Sequence, residues 1–106
     1  MVLKRKAMPR KKIKSDDTLP LRLSERERDL MLNEVFPAPE LMGRFRLAIV
    51  DGRAVVARLT LDDLDELGGA VAAVANHATS KTLQKEMDRL FDRIQNLLDT
   101  YTDEDE

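Results

Sequence analysis

The residues able to do chemistry are few. His77 is the only histidine and cysteine is absent, so disulfides, thiolate metal sites and thiol catalysis are excluded. A serine or threonine nucleophile needs a neighbouring base. Asn76, Thr79 and Ser80 surround His77 at no spacing that marks a catalytic triad. The imidazole titrates near neutrality, which would suit proton transfer. Asparagine and histidine are also residues that close a helix, one by tolerating the C-terminal backbone conformation and the other by complementing the negative helix end. We read Asn76-His77 in that second way. Asp62, Asp63, Asp65 and Glu66 gather carboxylates that could serve as acid and base or hold a divalent cation. They also stand at a predicted helix start, where the helix dipole favours anions. They lack the alternating oxygen ligands and central glycine of a calcium loop. Gly43, Gly52, Gly68 and Gly69 form no phosphate-cradling pattern. The sequence therefore predicts no enzyme, no cofactor and no metal site.

What chemistry remains is electrostatic. Lys4, Arg5, Lys6, Arg10, Lys11, Lys12 and Lys14 form a basic block, and residues 1–14 carry no acid. Asp99, Asp103, Glu104, Asp105 and Glu106 form an acidic end with no base. The net charge of −2 conceals this polarity. The block could contact nucleic-acid phosphates with salt-dependent, sequence-independent affinity. No aromatic interleaves it, so base stacking is not expected there. The bland readings are a solubilising tail, or an arm that folds back on the acidic C-terminus.

The elements that must position these groups follow from pattern. A chain of 106 residues forms one domain with a modest core. Aromatic residues make up 4%, so that core is aliphatic. No apolar run is long enough for a membrane span, and no apolar stretch follows the basic start as in a secretory signal. Cytoplasmic residence is the default, with no membrane partner. Residues 1–17 read as a disordered basic arm, because dense like charge leaves little to bury. Residues 18–101 read as one helical domain, and 102–106 as an acidic tail.

Within the domain, Leu19, Leu21 and Leu23 alternate with Pro20 and Arg22, predicting a short strand that Pro20 confines to an edge. Ser24 and Glu27 have capping-box spacing and open a helix over about 25–35, ended before Pro37. Pro39-Glu40 suits the start of a second helix, read over 39–48. Residues 45–50 carry a competing reading, because Asp51-Gly52 between apolar runs signals a hairpin. Ala54–Leu59 reads as a strand. Thr60 and Asp63 then cap a third helix, from Leu61 to about Ala78. The two strand-then-cap segments could pair as a two-stranded ribbon.

Leu64, Leu67, Val71, Val74 and Ala78 make one apolar stripe. Leu83, Met87, Leu90, Ile94, Leu97 and Tyr101 make another, over a fourth helix from Ser80 to Tyr101. The short turn between them predicts an antiparallel helical hairpin. Gly68-Gly69 inside the third helix suggests a close helix approach or a kink, with a functional hinge as the sharper reading. Leu19–Leu32, an alternating strand followed by a capped helix after a basic arm, resembles the first half of a ribbon-helix-helix DNA-binding domain. That resemblance implies DNA contact; no family is assigned on it.

The fold class expected is mainly α: about four helices, a C-terminal helical hairpin and a short two-stranded ribbon. The function expected is non-catalytic binding of a protein partner, or of a second copy as a homodimer, through an apolar helical face. The alternative is a nucleic-acid-binding regulator acting through the basic arm.

Overall fold

Two strand-to-helix corners frame the molecule. The computed structural model describes residues 10–35 and 37–104. Strand β1 spans Lys11–Ile13 and strand β2 spans Leu19–Leu23. On β2 the leucines face inward and are buried, while Pro20 and Arg22 face out. The first corner is closed by Ser24, whose Oγ accepts the Glu27 N–H at 3.1 Å while Glu27 Oε1 accepts the Ser24 N–H at 2.8 Å. This satisfies two backbone donors that a helix start leaves open. Helix α1 follows over Glu25–Leu30 and continues as a π-helical turn, Met31–Val35. Leu30, Met31 and Val35 are its buried side.

Helix α2, Pro39–Arg46, starts with proline in its first turn and buries Leu41 and Phe45. It stops two residues short of the expected end. Strand β3, Ile49–Asp51, begins almost at once and turns back at Gly52, whose φ of 64° suits a residue without a Cβ. Strand β4 is Ala54–Leu59, with Val55, Ala57 and Leu59 buried. The hairpin loop is thus Gly52-Arg53, one residue later than the Asp51-Gly52 signal indicates, since Asp51 pairs with Ala54. At the second corner Thr60 Oγ1 accepts the Asp63 N–H at 3.1 Å and Asp63 Oδ2 accepts the Thr60 N–H at 2.9 Å. Helix α3 runs over Leu61–His77 and helix α4 over Lys81–Thr100.

The strands β2, β4 and β3 form an antiparallel sheet in that order, with Leu19 opposite Leu59 and Ile49 opposite Val56. The core is a single layer between the inner face of the sheet and the helices. There the sheet's leucines meet Met31, Leu41 and Phe45, and Leu64, Leu67 and Val71 of α3 meet Met87, Leu90 and Ile94 of α4.

Several expectations are corrected. The fold is mixed α/β rather than mainly α: 60% helix and 21% strand among the described residues, in two sheets. The second sheet is a parallel pair, β1 with β5 (Tyr101–Asp103), with Lys11 opposite Tyr101 and Ile13 opposite Asp103. It joins chain ends far apart in sequence, so no local periodicity announces it. Helix α4 accordingly ends at Thr100, and Tyr101, read as the last stripe residue, opens β5. The arm read as disordered through residue 17 lies outside the described residues up to position 9; beyond that it contains β1. The two-stranded ribbon is a three-stranded sheet because β3 joins it. The strand β2 pairs with β4 of its own chain, not with a second copy as a ribbon-helix-helix strand would.

Candidate functional site

A sheet of three strands has two edges, and this chain treats them differently. At the β2 edge Pro20 has no N–H to offer. The Arg22 carbonyl accepts from Arg93 Nη1 of α4 at 2.9 Å. The same guanidinium clasps Glu27, Nη1 to Oε1 at 2.8 Å and Nη2 to Oε2 at 3.1 Å. Burial alone would push the Glu27 carboxyl up. Hydrogen bonds from Arg93 and from the Ser24 N–H outweigh it and hold the group below the usual carboxylate range. Further along, Arg58 of β4 donates to Thr18, to Oγ1 at 3.1 Å and to the carbonyl at 2.9 Å. Proline and side-chain cover are the devices by which proteins blunt a sheet edge.

The β3 edge has none of these. Leu47, Ile49 and Val50 are 83%, 68% and 61% exposed, the large apolar residues most open to water among those described. No proline or lysine stands in the segment. Asp51 closes the two-residue loop opposite Ala54, and hydrogen-bonded and open positions alternate along an antiparallel strand. The N–H and C=O of Val50 therefore point away from β4, into solvent. Ile49 shares the outer face of the sheet with Val56, while Val50 lies on the inner side opposite Val55. Arg46 and Arg53, both exposed, stand at the two ends of this apolar run. Neither joins an ion pair among the described residues. Asp51 between them is held by Arg22 at 3.1 Å.

The residues singled out for chemistry are dispersed. His77 is exposed in the last turn of α3, on the rim of an open groove lined by Val35, Ala70, Val74 and Leu83. Asp63 is taken up by the Thr60 cap and by Arg44, whose Nε lies 2.8 Å from Asp63 Oδ2. That contact is ionic rather than a hydrogen bond, since the buried Nε has no aligned acceptor. Asp62 and Asp65 line a cleft of about 380 Å³ shared with Arg10, Asp99 and Tyr101. Glu66 is exposed.

Of the basic block, Lys4, Arg5 and Lys6 lie outside the described residues. Arg10 reaches Asp99 at 3.9 Å. Lys11 and Lys12 are exposed on β1 beside Tyr101 and Thr102 of β5, and Lys14 follows in a turn closed by Asp17.

The middle of each helical stripe is closed, while Val74, Ala78, Leu83, Leu97 and Tyr101 are half-buried, with Val74, Ala78 and Leu83 lining the open groove beside His77. Leu64, Leu67, Val71, Met87, Leu90 and Ile94 are wholly buried within the one chain. The most exposed large apolar side chains are on β3 and just before it, where the competing hairpin reading of residues 45–50 holds and the helix reading of 39–48 overruns. The Asp51-Gly52 hairpin signal carried the strand reading; that the strand would lie at an open edge was not part of it. No protein-family model, curated protein or solved structure matches the chain. No described helix is long and apolar enough to cross a membrane.

Proposed function

We propose that the chain is a non-catalytic binding module that takes an extended segment of a protein partner onto the β3 edge. The observation that carries this reading is the exposure of Leu47, Ile49 and Val50 on a strand whose neighbouring edge, β2, is guarded. An added strand gains main-chain hydrogen bonds from the edge and side-chain contacts from alternate positions. Burying each of the three side chains fully would contribute about 1.5–3 kcal/mol, a driving force the isolated chain leaves unused. The absence of cysteine suits a reducing compartment, and we place the module in the cytoplasm.

A displayed library of random octapeptides tests the reading. Peptides selected on the native chain should weaken roughly tenfold or more on a Leu47→Ser, Ile49→Ser variant that melts at the native temperature, since hydrophobic anchors dominate such contacts. Peptides that bind both proteins equally would contradict it.

The second reading is phosphate contact through the basic arm. The exposure of Lys11, Lys12 and Lys14 supports it, while the register that lays β1 along the acidic end of the chain opposes it. Duplex DNA binding at two salt concentrations, with these lysines replaced by glutamine, decides it: unchanged binding, or none in the native chain, removes the arm from consideration.

A further inference from the structure

We infer that the segment received at β3 is acidic at its ends and apolar between them. This rests on the edge reading proposed above and adds the chemistry of the partner. Arg46 and Arg53 bracket Leu47-Ala48-Ile49-Val50, and both are exposed and outside any ion pair among the described residues. The anion between them, Asp51, is neutralised by Arg22 at 3.1 Å. Arg44, the next cation back along α2, is likewise matched, by Asp63. The unmatched cations that flank the open strand are thus Arg46 and Arg53, and the exposed Glu25 lines the cleft where Arg53 meets Val50.

A strand laid along β3 meets the outward N–H and C=O of Val50 between apolar side chains, with Arg46 at the end of α2 on one side and Arg53 in the hairpin loop on the other. Complementary charge at the rim of an apolar contact selects partners and speeds encounter more than it adds affinity. Two copies of this chain would bring their own arginine pairs together. Like charges facing each other oppose pairing across strands, so self-association through β3 is disfavoured. The bracketing arginines would oppose pairing of so apolar an edge with its own kind, because charge at an edge is a guard against indiscriminate pairing.

The test uses the full chain and two synthetic probes, capped at both termini: Glu-Thr-Val-Thr-Val-Thr-Val-Glu, and the same peptide with lysine at each end. Binding is read by calorimetry at low and high salt. The acid-ended probe should bind, and the lysine-ended probe should bind roughly tenfold more weakly at low salt, with the gap narrowing as salt screens it. The double variant Arg46→Glu, Arg53→Glu should reverse the order. The acid-ended probe N-methylated at its central residues, which cannot donate main-chain hydrogen bonds, should fail to bind.

Equal binding of the two probes, abolished by N-methylation, overturns the acidic preference and leaves the edge reading standing. Binding that survives N-methylation overturns the edge reading itself. The inference also falls if neither probe binds, if the chain sediments as a dimer that the probes do not dissociate, or if short duplex DNA displaces the acid-ended probe.

Discussion

At the scale of single residues, the glycines of α3 give the sharpest stability prediction. A Cβ at Gly69 would meet nothing within 4 Å, and one at Gly68 would meet Ile94 Cγ2 at 3.5 Å, an ordinary contact. Neither position needs glycine for space, so the close-approach reading of this pair does not hold. Gly69→Ala should raise stability by about 0.8–1 kcal/mol from helix propensity alone, and Gly68→Ala by a similar amount, as measured by urea unfolding. A loss in either would mean that the helix is used in a bent form. Glu27 gives a pH prediction. Its folded carboxyl titrates below its unfolded value, so the stabilisation is present above the ordinary carboxylate range. It is lost as pH falls through the depressed folded value. Glu27→Gln should cost about 1–2 kcal/mol at neutral pH, kept modest by the partly exposed Arg93, and should flatten the acid limb of a stability–pH curve. Both capping boxes were legible in the sequence, because Ser24-x-x-Glu27 and Thr60-x-x-Asp63 are local patterns. Arg93 was not: its partners Arg22 and Glu27 lie far away along the chain, and nothing in α4 distinguishes it from the other outward-facing charges.

At the scale of elements, the segment from Phe45 to Asp51 decides where the sheet has its open edge. Its apolar spacing satisfies a helix and a hairpin equally. The structure divides it, with helix through Arg46 and strand from Ile49. What settles the division is long-range: Phe45 is fully buried beneath the sheet, and Ile49 finds Val56 of β4. Pattern alone cannot weigh a partner strand it has not yet placed. Gly52 holds the corner with a positive φ, so Gly52→Ala should destabilise by about 1 kcal/mol and fray β3 before the rest of the sheet. Amide exchange in the variant would show faster opening at Ile49 and Asp51, with Val55 unchanged; uniform loss across the sheet would contradict it. The helices α3 and α4 were readable because each carries a long stripe in steps of three and four. The parallel pair β1–β5 was not readable, because three-residue strands at the two ends of a chain have too little pattern to be found.

At the scale of the whole molecule, the middles of the helical stripes turn inward and the sheet leaves its β3 edge open. Binding was expected through an apolar helical face; the middles of both stripes are core, a groove at Val74 and Leu83 stays open, and the most exposed large apolar residues are on or just before the shortest strand of the sheet. Because Ile49 and Leu47 contribute little to that core, Leu47→Ser and Ile49→Ser should leave the unfolding free energy within about 0.5 kcal/mol of the native value. A large loss would show that they are structural after all. The most direct measurement of the central claim is amide hydrogen exchange at Val50, followed residue by residue in the free chain and with the acid-ended probe at saturation. The account predicts fast exchange at Val50 between two slower neighbours, Ile49 and Asp51, and protection at Val50 when the probe is added. Protection of Val50 in the dilute free chain, or no change on saturation, would contradict it.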